Sequence, residues 1–229
     1  MTAPAAPSRG RSLAGSIAPS PRPLRVAVVD YGAGNLVSIA QGLEAVGAAP
    51  TVVDAPGGLA RADALIVPGV GAAAPAMQRL AKAGLIEPIR AWIADGRPFL
   101  GICLGLQLLF ETSDEDGVEM LGVIPGRVVV IPDAPTLPHI GWNQVDLARR
   151  HPLFDGIADG SDLYFVHSYA GLPEGDRAED VILARTTHGG TFVSAVADGP
   201  LVGVQFHPER SGTDGLRLLA NFARQAGPG

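Results

Sequence analysis

The sequence is poor in features that define several other classes of protein. It has one cysteine, Cys103, among 229 residues, which excludes a disulfide within the chain and favours a reducing compartment, so we expect a cytoplasmic protein. No apolar run approaches the roughly 20 residues of a membrane span, so we expect no membrane association. No cluster of His, Cys, Asp and Glu has metal-ligand spacing, and no metal is expected. Gly32 and Gly34 start a dinucleotide-binding fingerprint, but Val37 stands where its third glycine belongs, so no cofactor is expected.

Positive charge is also scarce outside the first residues. Lysine occurs only at Lys82, against sixteen arginines, and the net charge is −6. The first 25 residues hold four arginines and no acid, so the remainder of the chain carries −10. A folded part this acidic argues against a nucleic-acid partner.

The first 24 residues differ in composition from the rest of the chain. They are rich in Ala, Pro, Ser and Gly, and five prolines interrupt any amphipathic helix of the kind that an organelle transit peptide needs. We therefore predict a disordered extension over residues 1–24 and one folded domain over residues 25–229.

Apolar, β-branched runs alternate with segments of helical periodicity in the first half of the chain. The predicted strands are 25–30, 51–53, 64–67 and 97–102, and the predicted helices are 35–46, 73–94 (with a break near Gly84) and 104–112. After Gly117 come shorter strands at 126–131, 163–167, 181–187, 192–197 and 201–205, then a helix at 215–224. This order predicts a single α/β domain, flavodoxin-like, with a central, mostly parallel mixed sheet covered by helices on both faces.

Four segments fall where predicted strands end. They are Asp30–Gly34, Pro68–Gly71, Cys103 and His207. Because ligands of open α/β sheets sit at the carboxyl ends of strands, we expect these segments to meet at one site.

Cys103 lies between two glycines, in Gly101-Ile-Cys-Leu-Gly105, directly after an apolar run. A strand that turns sharply into a helix at a nucleophile has this pattern, and the helix start helps to lower the pKa of a thiol. His207 is the predicted base, and Glu209, two residues on at a strand end, would hold its other ring nitrogen. These three side chains predict a catalytic triad.

Acyl transfer by a thiol also needs donors for the developing oxyanion. The amide of Leu104 is one candidate, and the Pro68-Gly-Val-Gly71 loop offers a second from Val70 or Gly71. Glycine there permits unusual peptide orientations, so we expect this oxyanion hole to switch between formed and unformed states.

The remaining histidines and one tryptophan lie among turn signals. We expect His139, His151 and His188 to be surface or structural residues. Trp142 stands in a turn flanked by proline and glycine, which predicts an exposed indole.

The motif Gly-Ile-Cys103-Leu-Gly-Leu-Gln107 with the later His207-Pro-Glu209 resembles the triad-type (class I) glutamine amidotransferases, over residues 25–229. Other segments resemble the histidine-biosynthesis branch, the glutaminase subunits of imidazole glycerol phosphate synthases. These segments are residues 30–36, 68–71, 138–143, 164–169 and 206–212.

The resemblance implies hydrolysis of L-glutamine to glutamate and ammonia through a γ-glutamyl thioester on Cys103. It also implies the residues that bind glutamine. Gln107 would line the pocket, Glu115 would bind the α-ammonium, and the α-carboxylate would be held by His167, Ser168 and Tyr169.

The resemblance further implies a partner, a (β/α)8-barrel cyclase subunit that receives the ammonia in a heterodimer. Asn35, His139 and Trp142 match segments that face this partner. Arg210 stands where the family usually has lysine, and its forked donors alter the contact made across the interface.

Three other readings share parts of this pattern. Another class I glutaminase subunit would share the triad but would bind a different synthase. An inactive binding module of this fold would not need Cys103, and a related peptidase would cleave peptides instead of glutamine.

Overall fold

The computed structural model describes residues 22–227. The predicted N-terminal extension lies outside the described residues as far as position 21, and its disorder stays a prediction. Arg22 pairs with Asp63 across 2.6 Å, and Leu24 packs against the hydrophobic core. The segment before β1 therefore contacts the folded domain from Arg22, the first described residue, onward.

Five parallel strands form one half of the main sheet. They run in the order β2-β1-β3-β4-β12, in which β1 is Arg25–Val29, β2 Ala49–Val53, β3 Ala64–Val67, β4 Phe99–Ile102 and β12 Leu201–Val204. The helices of this half are α1 (Leu36–Ala45), α2 (Ala73–Lys82), α3 (Ile86–Ala94) and the C-terminal α6 (Gly212–Ala226). This is the alternation of strands and helices that the sequence predicts.

Successive residues of β1 point to opposite faces of the sheet. Val26 and Val28 pack in a cluster that contains Leu43 of α1 and Leu219 of α6, while Ala27 joins a second cluster with residues of α2 and α3. Because both faces are apolar, both must be covered. The predicted α/β domain with helices on both faces is confirmed.

The structure tests the predicted bounds of two helical segments, 73–94 and 104–112. The predicted break in 73–94 is confirmed, since α2 and α3 are separated around Gly84, whose φ is +68°. The predicted helix 104–112 is wrong beyond Gln107, where α4 (Leu104–Gln107) ends. The carbonyls of residues 108–110 accept hydrogen bonds from the amides of residues 121–124, and these tertiary bonds replace further turns of helix.

Four antiparallel strands extend the sheet beyond β12. They are β11 (Gly190–Asp198), β10 (Ile182–His188), β7 (His139–Leu147) and β8 (Ser161–His167), in that order. A small second sheet contains β5 (Thr112–Ser113), β6 (Gly126–Val130) and β9 (Tyr169–Pro173), and a short helix α5 (Ala178–Val181) precedes β10.

Strand β7 corrects the predicted turn around Trp142. Pro138 and Gly141, which has a φ of +139°, are turn signals, yet the segment pairs with β8 from His139↔His167 to Val145↔Ser161. Pairing with a neighbouring strand therefore overrides the local preference for a turn.

The carboxyl ends of β1, β3, β4 and β12 are adjacent in the sheet. The four segments expected at strand ends therefore emerge at the same edge, as predicted. Within residues 22–227, no helix combines the length and the apolar character that crossing a membrane requires.

We predict that Gly105→Ala destabilises the domain by about 3 kcal/mol, the upper end of overpacking costs. A Cβ on Gly105 would overlap the carbonyl oxygen of Val67, and backbone of a central strand cannot move aside as a flexible side chain can. Chemical denaturation followed by circular dichroism measures the change. Gly57→Ala is the matched control, because a Cβ there meets nothing within 4 Å. Equal stability of the two variants would contradict the prediction.

Candidate active site

Cys103 occupies a strained turn between β4 and α4. Its φ is 54° and its ψ −109°, a conformation rare for residues other than glycine, and its N–H donates to the Val204 carbonyl across 2.7 Å. A Cβ on Gly101 would lie 2.5 Å from the Gly105 carbonyl oxygen, so both flanking positions need glycine. This is the predicted nucleophile elbow.

His207 and Glu209 form a buried pair next to the elbow. Nδ1 of His207 lies 2.8 Å from Oε1 of Glu209, and both side chains are buried. A carboxylate can only accept, so Nδ1–H donates, and Nε2, which has no hydrogen-bond partner among the described residues, is left to exchange a proton. The pairing agrees with the prediction, but the expected strand geometry is wrong, since Glu209 lies in a short 3-10 helix over Pro208–Arg210.

The electrostatics of this pair favour a charged imidazole. Burial lowers the pKa of His207, but its interactions with Cys103 and Glu209 outweigh that effect and raise the pKa to about 10. The Glu209 carboxylate, 2.8 Å from Nδ1, is one cause of this shift, because it favours the charged ring. The site therefore suits a proton that moves between the sulfur and His207.

The predicted oxyanion hole is not formed in this structure. The N–H of Leu104 donates to the Gly69 carbonyl across 3.3 Å, and a trans peptide with its carbonyl turned that way points the Val70 N–H away from Leu104. Gly71 has a φ of +94°, and Val70 is 46% exposed. The Gly69–Val70 peptide would supply the second donor through the Val70 N–H. In this structure its carbonyl instead accepts a hydrogen bond from the first donor, the Leu104 N–H.

Tyr31, which the sequence did not suggest as a site residue, holds this loop. Its hydroxyl donates to the Pro68 carbonyl across 2.7 Å, and a Cβ on Gly69 would overlap that hydroxyl. Burial raises the pKa of Tyr31, so it remains a neutral donor. The one sequence feature that could have indicated this role is that Tyr31 directly follows the predicted strand 25–30.

A cavity of about 220 Å³ opens above the sulfur. It brings together most of the residues predicted to bind glutamine or the oxyanion, and its lining includes Gly71, Cys103, Leu104, Gln107, Glu115, His167, Ser168 and Tyr169. Partial burial and the neighbouring Asp116 raise the pKa of Glu115, although the carboxyl stays largely exposed. Larger grooves beside α5, between the two sheets, beside β1 and β2, and beside α2 and α3 contain none of the predicted residues.

A chain of hydrogen bonds connects this cavity with strand β7. His167 Nδ1 donates to the Tyr169 carbonyl across 2.8 Å, which leaves its Nε2 to accept from Nδ1 of His139 at 3.2 Å. Nε2 of His139 in turn accepts from the Asn143 amide at 3.1 Å. Burial is the main cause that lowers the pKa of His167 to about 3 and of His139 to about 4, so both rings are neutral.

His139 is therefore a structural residue, one of the two alternatives expected for it, although it does not lie in a turn. The ring is 4% exposed, lies in a strand and stacks on His188, with 4.1 Å between ring centroids. His188 ends β10 and is more exposed, and His151 caps a short 3-10 helix by accepting from the Leu153 amide. Of these three histidines, His139 alone is hydrogen-bonded to a residue that lines the cavity, namely His167.

None of the residues predicted to face a partner lines the cavity. Trp142 is 56% exposed, as predicted, and meets Tyr164 edge-on with 6.0 Å between ring centroids. The guanidinium of Arg210 lies 4.0 Å above the same Tyr164 ring. Asn35 is exposed and caps α1 by accepting from the Ser38 amide. Trp142, Tyr164 and Arg210 form one surface, which we call the aromatic patch.

Comparison with known proteins identifies the class of protein to which this chain belongs. The family model described as "Glutamine amidotransferase class-I" matches residues 27–226. The fold is also that of solved structures titled "Crystal structure of glutamine amidotransferase" (TM-score 0.67, 20% identity, 88% of this chain and 98% of that chain) and "Structure of PurLQS from Thermotoga maritima" (0.68, 19%, 89% and 99%). The chain belongs to the class I glutamine amidotransferase family, as the motifs predicted.

Curated relatives narrow the comparison. "Imidazole glycerol phosphate synthase subunit HisH" of Microcystis aeruginosa is 48% identical and covers 87% of this chain and 95% of its own length. The proteins of the same name from Aquifex aeolicus (46%, 89% and 98%) and Symbiobacterium thermophilum (49%, 87% and 93%) are similarly related. These relatives match over nearly their whole length.

We predict that the loss of stability caused by His207→Asn shrinks as the pH rises from about 6.5 to about 10. The folded pKa of His207 is raised, so its stabilising contribution is complete below the unfolded value of 6.5 and is lost on passing about 10. Urea denaturation across this range measures the difference from the wild type.

His151→Asn is the matched control. Burial lowers the pKa of His151, so any contribution of its charge is confined to acidic pH and the difference stays constant above neutrality. A His207→Asn effect that is flat or grows with pH would show that the imidazole is not held charged.

Proposed function

We propose that this chain is the glutaminase subunit of an imidazole glycerol phosphate synthase in histidine biosynthesis. The observation that carries the proposal is the buried His207–Glu209 pair beside a strained Cys103, which itself lines a cavity of about 220 Å³. Relatives of 46–49% identity that carry this subunit's name support the same activity. A cytoplasmic location belongs to the proposal, because it keeps the lone thiol reduced.

The proposed reaction has two halves. Cys103 first passes its thiol proton to His207, and the resulting thiolate attacks the side-chain amide carbon of glutamine; the charged His207 then gives that proton to the departing ammonia as the C–N bond breaks. Water then attacks the γ-glutamyl thioester, and its proton returns through His207 to the sulfur. Glu209 keeps Nδ1 protonated throughout, so Nε2 is always the nitrogen that exchanges protons.

The cavity lining supports glutamine as the substrate. Its free amino acid end needs one anionic contact and one set of donors, and we assign these to Glu115 and to the backbone of Ser168 and Tyr169. Gln107 lines the same cavity one turn along from the nucleophile.

Ammonia must reach a second active site without escaping to water. We assign that site to a (β/α)8-barrel cyclase subunit, which forms imidazole glycerol phosphate and an aminoimidazole carboxamide ribonucleotide. The aromatic patch and Asn35 are the surfaces we assign to this partner. His139 is buried, so its part in the interface is to support the strand that carries Trp142.

The occupied Leu104 amide explains why the partner matters. Rotation of the Gly69–Val70 peptide would free that donor and turn the Val70 N–H toward the oxyanion, and glycine on both sides of Val70 makes the rotation sterically accessible. We propose that docking of the cyclase with its nucleotide favours the rotated state.

We predict that glutamine hydrolysis by the isolated chain is slow and rises about a hundredfold with the cyclase and its nucleotide, the effect of gaining an oxyanion donor. A coupled glutamate assay measures both rates. Cys103→Ala, with the partner present, should lose at least about 10⁴-fold in rate while still forming the complex.

Two outcomes would overturn this proposal. Equal turnover with and without the cyclase would remove the switching of the oxyanion hole. Unchanged ammonia release by Cys103→Ala would remove the nucleophile and leave an inactive binding module or a contaminating activity as the explanation.

We predict that Trp142→Ala weakens binding to the cyclase about 30-fold, the loss typical of a central aromatic in an interface. Titration of the stimulated glutaminase activity with cyclase measures the dissociation constant. Leu172→Ala is the matched control, because Leu172 is also an exposed apolar residue but lies on β9, away from the aromatic patch. If both variants bind like the wild type, the aromatic patch is not the interface.

A further inference from the structure

Gln205 is a buried amide that the triad does not use. It follows the end of β12, is 0% exposed, and its backbone N–H donates to the Ser194 carbonyl across 2.9 Å. Its side-chain Nε2 lies 3.6 Å from Sγ of Cys103, within hydrogen-bond range for sulfur. Most polar side chains that are buried this completely have hydrogen-bond partners.

The orientation of this amide follows from its neighbours. The Tyr169 carbonyl can only accept, so the group of Gln107 that lies 2.7 Å from it is the NH₂ group. The same nitrogen lies 3.1 Å from the Gln205 side chain, which must therefore present its oxygen there. The NH₂ group of Gln205 is then the group that faces the sulfur.

A second polar group near the sulfur acts in the opposite direction. The Val166 carbonyl lies 3.9 Å from Sγ and can accept a hydrogen bond from the neutral thiol. The Gln205 nitrogen is nearer, and only a donor can stabilise the sulfur once it is anionic. The buried amide therefore favours the charged form of the nucleophile.

We propose that Gln205 is a thiolate-stabilising residue: its side-chain N–H donates to the anionic sulfur of Cys103 and is held in that orientation by Gln107 and the Tyr169 carbonyl. This inference rests on the proposed function, in which Cys103 is the nucleophile. It gives Gln107 a second task besides lining the cavity, since Gln107 fixes which end of Gln205 meets the sulfur.

The single cysteine allows a direct test. Alkylation of the purified chain by iodoacetamide reports on Cys103 alone, and its rate follows the thiolate fraction without any need for glutamine or partner. Gln205→Met keeps the length of the side chain and removes the donor. We expect the midpoint of its alkylation profile to move about one pH unit higher than in the wild type.

The plateau rate at high pH gives a second readout. A thiolate that loses a donor is more basic and more nucleophilic, so the plateau of Gln205→Met should equal or exceed that of the wild type. A merely structural defect that closed access to the sulfur would lower the plateau and leave the midpoint unchanged. Gln225→Met is the matched control, since the Gln225 side chain donates to the backbone carbonyl of Asn221 in its own helix.

An unchanged midpoint in folded Gln205→Met would overturn the proposal. Should that variant fail to fold, the wild type decides by nuclear magnetic resonance. The side-chain amide signal of Gln205 should titrate with the alkylation midpoint and lose that response after alkylation, and a signal that does not respond would also overturn the proposal. Because neither readout measures glutamine hydrolysis, a chain that shows the shift but no glutaminase activity would refute the proposed function alone.

Discussion

The close approach of backbone to backbone beneath Cys103 determines where the reactive sulfur lies. The first turn after Cys103 passes so near β3 that Gly105 has no room for a Cβ beside the Val67 carbonyl, and Gly101 has none beside Gly105. This contact ties Cys103 to the neighbouring parallel strands β3 and β4. Everything else in the site is arranged around a sulfur whose position is set by main-chain packing, which is rigid on the scale of side-chain motion.

Directional hydrogen bonds then assign a state to each polar group around the sulfur. The Glu209 carboxylate leaves one nitrogen of His207 for proton exchange, and the Tyr169 carbonyl orders Gln107 and His167. A carbonyl or carboxylate has no freedom to exchange donor for acceptor, so each such group fixes the side chains that follow it. The acceptor-only groups, the Glu209 carboxylate and the Tyr169 carbonyl, therefore determine the donor and acceptor roles of the side chains bonded to them.

Local patterns predicted the parts of this protein whose structure is decided locally. The apolar run of β1, the helix that follows Asn35, the break at Gly84 and the elbow at Cys103 are all readable because each depends on near neighbours in sequence. Strand β7 was missed because pairing with β8 outweighs the turn preference of Gly141. The partners of Gln205 are 98 and 102 residues away in sequence, and such contacts leave no local signal.

The hydrogen bond between the Leu104 N–H and the Gly69 carbonyl affects how much glutamine is hydrolysed when its ammonia cannot be used. On the proposed function, the Leu104 N–H cannot point at the Gly69 carbonyl and at the oxyanion at once, so hydrolysis requires that the resting contact be broken. On the proposed function, a cell with idle cyclase loses little glutamine to futile deamidation. The safeguard needs no additional domain, effector pocket or modification, since a single peptide group performs it.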